Sequence, residues 1–134
     1  MTKANIKKLI DYWIKGSKLD FESAESIAYD SKRYVQSCFF LHLSIEKILK
    51  AYIVKITSTH APYVHNLPQL GRMSQIELTK DQLKFLVEVN EFNLRCRYPD
   101  ESYSIYKKAT ANKTKKLLNQ AKEFIDWISK KLKD

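Results

Sequence analysis

The sequence predicts an all-α protein, an up-and-down antiparallel bundle of four to five helices folded as a single domain over residues 1–134. Three observations lead there. The chain contains Gly 2 and Pro 3, too few turn formers for a strand-rich fold. Its apolar residues recur at spacings of three and four. The stretch Tyr34 to Ile56, YVQSCFFLHLSIEKILKAYIVKI, is apolar almost all the way round, which is the pattern of a helix enclosed by others. A composition of 44% hydrophobic and 29% charged residues is that of a globular chain with a real core.

The elements follow in order. Residues 3–31 form a long first helix, with Ile6, Leu9, Ile10, Trp13, Ser17, Ala24, Ile27 and Ala28 on one face. Asp20 shares that face, so its carboxylate needs a cation or backbone donors. Gly16 weakens the helix and permits a bend or a close helix contact. The tight connection from Ser31 to Tyr34 makes the first two helices antiparallel neighbours. Residues 57–65 are loop. Asn66 caps a short helix with Pro68 in its first turn. Thr79 and Gln82 have the capping-box form and open a fourth helix, whose inward face is Leu83, Leu86, Val87, Asn90 and Leu94. That helix must stop at Tyr98, because the residue before Pro99 is pushed out of the helical region. Pro99 then stiffens a turn. The last helix covers about 110–131, with Leu117, Leu118, Ala121, Phe124, Ile125, Ile128 and Leu132 as its apolar stripe.

The formal net charge is +9, which suits an anionic partner. The excess gathers at the C-terminus, where residues 105–134 hold nine Lys against three acids. Two cysteines, Cys38 and Cys96, match no zinc spacing and are too few for a disulfide framework, so reduced thiols in a cytoplasmic protein are expected. No secretory leader and no apolar run of membrane-spanning length are read in the chain. No His or carboxylate stands at ligand spacing to His65, so no metal and no other cofactor is expected.

Two clusters carry candidate chemistry. One is Arg95 together with Arg97-Tyr98-Pro99-Asp100-Glu101-Ser102-Tyr103, where a helix ends and two guanidinium groups emerge beside phenols. Arginine grips phosphate with paired hydrogen bonds, and tyrosine stacks on a base or donates to a phosphate oxygen. The other lies on the central helix, where Glu46 and Lys50 stand four apart and pair on one face. The candidate contacts to a nucleotide or phosphate are thus Arg95, Arg97, Tyr98, Asp100, Lys47 and Lys50, supported by Asp20, Glu46 and His65. A purely structural reading pairs Arg97 with a buried acid, Asp20 or Glu46. The phosphate-cradling loops G-x-x-x-x-G-K-S/T and G-x-G-x-x-G are absent.

Four pieces in order resemble the HEPN family (higher eukaryotes and prokaryotes nucleotide-binding domain): WIKGSKLDFESAESIAYD, FFLHLSIEKILKAYIV, HNLPQL and LRCRYPDESY. The resemblance covers nearly the whole chain. It implies a small helical bundle, often a homodimer, and in many prokaryotic members a partner nucleotidyltransferase of the MNT type. Some such pairs are toxin and antitoxin, the HEPN protein acting as a metal-independent RNase. Those RNases carry Arg, four to six residues, then His. The His assists attack by the 2′-OH and the Arg stabilises charge. Here the positions that far beyond Arg97 are Ser102, Tyr103 and Ser104, and no His follows His65. Arg97 matches the family position while the imidazole does not, and Tyr103 falls where related toxins carry a tyrosine that the partner modifies with AMP.

The leading expectation is therefore a homodimeric binding module that partners a nucleotidyltransferase and presents Arg97, Tyr98 and Tyr103 to a nucleotide or RNA phosphate. The alternatives are an RNase in which Arg97 works with Tyr103, Glu101 or His65, and an adaptor bundle in which Arg97 serves stability alone.

Overall fold

The computed structural model describes residues 1–96 and 99–134, with side chains described outside 96–103. Among the described residues there are six α-helices and no strand: α1 (Lys3–Ser26), α2 (Tyr34–Thr57), α3 (Leu67–Met73), α4 (Lys80–Asn90), α5 (Pro99–Lys108) and α6 (Ala111–Leu132). The all-α bundle is as expected. No helix among the described residues is long and apolar enough to cross a membrane.

α2 is the axis of the bundle. Leu41, Ile45, Ile48, Leu49 and Val54 are wholly enclosed, with α1, α3, α4 and α6 packed around them. α1 ends in a single π-turn over Ile27–Ser31. Lys32 then takes a left-handed conformation, φ 55°, and α2 returns alongside. Small side chains let the pair close up. Ser17 Oγ donates to the Ser44 carbonyl at 2.8 Å, Ser44 Oγ donates to the Ser17 carbonyl at 2.8 Å, and Ser37 Oγ donates to the Ala24 carbonyl at 2.7 Å. These bonds satisfy hydroxyls that are fully buried and would otherwise be costly.

Local chemistry sets the helix ends. Thr2, Asn66, Thr79 and Thr110 each accept a backbone N–H through their side chains, and Thr79 with Gln82 forms the reciprocal capping box. At the far end of α6, Lys55 Nζ donates to the carbonyls of Lys131 and Leu132 at 2.9 and 3.2 Å, placing a cation at the negative helix end. The Cys38 thiol lies inside the core beside Thr114, and burial pushes its pKa up to about 11.

Two sequence expectations need correction. α4 does not present Leu83 and Val87 inward; they are exposed, and Phe85, Leu86 and Val89 are buried instead. Two apolar stripes overlap at Leu86, and the one carrying the larger ring prevails. The Phe85 ring meets Phe124 of α6 at 5.8 Å between centroids, and aromatic burial outweighs that of a leucine–valine pair. α4 also ends early, at Asn90, and Pro99 begins a helix rather than a turn. Proline suits a first helical position because its missing N–H would be unpaired there anyway.

Gly71 lies where α3 crosses α4. A Cβ there would stand 3.0 Å from Leu86 Cδ1 and 3.1 Å from Leu78 Cδ1. Leu86 is fully enclosed, so it has little room to yield. Gly71→Ala is expected to destabilise the fold by about 1–3 kcal/mol through overpacking, despite alanine's better helix propensity, and denaturant unfolding measures this.

Candidate functional site

One carboxylate organises the polar interior. Glu46 lies on the flank of α2, its side chain 6% exposed. Lys50, one turn along, donates to Oε2 at 3.0 Å. Arg95, from the short 3-10 turn Leu94–Cys96, donates Nη2–H to Oε1 at 2.7 Å. His65, from the loop before α3, places Nδ1 2.9 Å from Oε2. Burial pushes the Glu46 carboxyl up, but the hydrogen bonds from His65, Arg95 and Lys50 together outweigh it and hold the pKa below its ordinary 4.5. Ionised, the carboxylate only accepts. His65 therefore donates from Nδ1, which leaves Nε2 as the basic nitrogen.

Each partner is held by a sequence feature. Asn93 Oδ1 accepts from both the Arg95 backbone N–H and Arg95 Nε, at 3.3 and 3.0 Å. Such a side chain-to-backbone bond competes with helix continuation, and it helps turn the chain after α4. The guanidinium lies 5.9 Å from the Phe39 ring centre. Asn90 Oδ1 accepts the Leu67 N–H at 2.9 Å, which ties the start of α3 to the end of α4 and fixes the loop carrying His65. Lys50 Nζ is 5.3 Å from the Trp13 ring centre on α1, within cation–π range.

The second ion pair is Lys47 Nζ to Asp20 Oδ2, 2.6 Å, between α2 and α1. Gly16 makes it possible. A Cβ there would come within 3.0 Å of Lys47 Cδ, so the lysine stem crosses α1 where no side chain stands.

Below Glu46 lies His42, with no exposed surface, its imidazole facing the Asn90 side chain and the His65 backbone. Its Nδ1 is 3.7 Å from Glu46 Oε1. Burial lowers its pKa to about 4; the nearby carboxylate opposes this and Arg95 adds to it. It is a neutral imidazole at neutral pH.

The sequence candidates thus separate. Glu46, Lys50, His65 and Arg95 meet; Asp20 and Lys47 pair nearby. The described residues place Arg95 on Glu46 and Lys47 on Asp20. Lys50 is buried beneath the cluster, whereas Arg95 and His65 are each 37% exposed. The expectations for Arg97 and Tyr98, and for the side chains of Asp100, Glu101, Ser102 and Tyr103, fall outside the described residues. His42, Asn90 and Asn93 had no assigned site role from sequence. The signal for His42 was its position four residues before Glu46, and for Asn93 its place two residues before Arg95.

Among the described residues one carboxylate, Glu46, faces a lysine, Lys50, an arginine, Arg95, and the His65 imidazole. Among the described residues no group of His, Cys, Asp and Glu is arranged to hold a metal ion. A cavity of about 280 Å³ between α4 and α6, floored by Phe85, Phe124 and Trp127, is lined by none of Glu46, Lys50, His65 or Arg95.

Helices packed around α2, with one surface carrying a histidine and an arginine on a shared carboxylate, define a helical-bundle domain with a polar hub. The family model of the HEPN domain matches residues 10–132, and the chain belongs to the HEPN family. The crystal structure of TT1696 from Thermus thermophilus is similar in fold, with a TM-score of 0.76 at 15% identity, over 91% of this chain and 97% of that one. No curated protein matches the sequence.

Proposed function

We propose that this HEPN protein is a binding module. Its Arg95–His65 cradle receives the phosphate of a nucleotide or of RNA, and it works in the cytoplasm as a homodimer alongside a small MNT-type nucleotidyltransferase. The observation that carries the reading is the shared carboxylate. Among the described residues Glu46 faces both buried Lys50 and part-exposed Arg95, so the Arg95 guanidinium beside His65 supports a surface that takes an anion. Charge-assisted hydrogen bonds from an oriented guanidinium are the strong kind. Lys50 and Lys47, engaged with Glu46 and Asp20, support the cradle from beneath and beside it. Arg97, Tyr98, Asp100 and Tyr103 adjoin it in sequence and extend the phosphate contacts.

Calorimetric titration with nucleoside monophosphates and short RNA tests this. Wild type is expected to bind, and Arg95→Ala to weaken binding by about tenfold or more, since hydrogen bonds to charged groups contribute about 1.5–3 kcal/mol. Absence of binding by wild type sinks the reading. Recovery of a nucleotidyltransferase with the tagged protein from its native cell tests the partner separately.

A second reading rests on the His65 imidazole, which Glu46 orients through Nδ1 next to Arg95. That pairing supplies a general base beside a charge-stabilising group, as a metal-independent RNase toxin of a toxin–antitoxin pair requires. Cleavage of RNA in the presence of chelator, lost in His65→Ala and Arg95→Ala, supports it; an intact RNA pool with wild type removes it.

A further inference from the structure

We propose that Tyr63 is the nucleobase platform of the same site, so that its ligand is a phosphate carried by an unpaired base, not a bare phosphate or a base-paired duplex. The inference rests on the phosphate reading above and deepens it. Tyr63 stands in the loop between α2 and α3 and is 97% exposed, far more than any other large apolar or aromatic residue described as exposed. The fold therefore gains almost nothing from its ring. Yet the ring is not remote from the chemistry. It meets His65 edge to face, with 5.7 Å between centroids and 65° between planes, and His65 is the residue that Glu46 holds beside Arg95.

The loop fixes this arrangement from both ends. α2 stops at Ser58, in a left-handed conformation with φ 55°. Pro62 precedes the tyrosine and stiffens the backbone leading to it. Two residues after His65 the Leu67 N–H is tied to Asn90. A phenol ring that is almost wholly exposed on a short, anchored loop is accessible for stacking on a base. Every base has a π-face, so such a platform is tolerant of sequence and needs the base unstacked from its neighbours. His65 touches both the Tyr63 ring and the carboxylate that holds Arg95, so a base on Tyr63 would carry its sugar-phosphate to the Arg95–His65 cradle.

Three probes separate the parts: ribose 5-phosphate, the four nucleoside 5′-monophosphates, and a short single-stranded RNA. Each is titrated into wild type, Tyr63→Ala, Tyr63→Phe and Arg95→Ala. The expected result is that Tyr63→Ala weakens the base-bearing ligands about tenfold and leaves ribose 5-phosphate unchanged, while Tyr63→Phe keeps wild-type affinity. Arg95→Ala weakens all three. A loss with the monophosphates identifies a free nucleotide as sufficient ligand; a loss confined to the RNA identifies the strand. Equal affinity of Tyr63→Ala and wild type for both base-bearing ligands overturns the platform and leaves the phosphate cradle standing. If wild type binds none of the probes, the phosphate reading falls and the platform with it. Because the ring is exposed, folding of the alanine variant is not at stake.

Discussion

Glu46→Ala is expected to lower the free energy of unfolding by about 3–5 kcal/mol, seen as a clear drop in denaturant midpoint. The cost arises chiefly from Lys50. Its side chain is 5% exposed, and without Glu46 its remaining described contact is the Trp13 ring, a weak substitute for a carboxylate. Arg95 and His65 lose less, since both reach water. A second variant distinguishes an orphaned charge from lost packing. Replacing the pair together, Glu46→Leu with Lys50→Met, removes both buried charges, and such exchanges are often near neutral. It is expected to recover most of the loss in stability while abolishing phosphate binding. A double variant no more stable than Glu46→Ala would show that the cluster stabilises the fold through Arg95 and His65 instead.

The second large effect is a pH dependence originating at His42. In the unfolded chain this imidazole has its ordinary pKa of 6.5, and in the fold burial lowers it to about 4. Between those values the unfolded chain binds the proton and the folded chain does not. Stability therefore falls as pH drops through that window, by about 2 kcal/mol between pH 7 and pH 5 from this residue. Glu46 acts in the same direction but lower. Its pKa is depressed in the fold, so its contribution is present above the ordinary 4.5 and lost as pH falls further. The two are thus separable in pH. His42→Leu, which removes the buried imidazole, is expected to flatten the pH 7 to pH 5 slope of unfolding free energy. An unchanged slope would place the acid sensitivity elsewhere.

Much of this architecture is readable from residue order alone, and the limits have a physical pattern. α1, α2 and α6 are legible because each is long enough for its apolar period to be unambiguous. Caps at Asn66 and Thr79 are legible because they depend on chemistry three residues away. The Glu46–Lys50 pair is legible for a similar reason, being one helical turn apart. What is not legible depends on how elements cross. Asp20 needs a cation by burial alone, but that Lys47 supplies it follows from α2 crossing α1 at Gly16. Arg95 reaches Glu46 from beyond the end of α4, its backbone N–H and Nε both held by Asn93 Oδ1. His65 arrives from a loop whose path no periodicity encodes. Pro99 signals a stop to the helix before it and a start to the helix after it. Lys107 and Lys108 in the last turn of α5 complement the negative end of that helix.

The four pieces of sequence that carry the family resemblance come together for one reason. WIKGSKLD supplies Trp13, Gly16 and Asp20; FFLHLSIEKILKAY supplies Phe39, His42, Glu46, Lys47 and Lys50; HNL supplies His65 and the Leu67 amide; and LRC supplies Arg95. Apart from the Leu67 amide, which bonds Asn90, these residues contact Glu46 or the side chains around it. The spacing of the motif is thus the spacing of one polar hub.

The most direct test observes that hub while a ligand is added. In an ¹⁵N NMR titration with a nucleoside monophosphate, the account predicts that the His65 ring nitrogens and Arg95 Nε shift together, saturably, at the concentrations that produce heat in calorimetry. Binding that shifts resonances elsewhere and leaves His65 and Arg95 unmoved would contradict it.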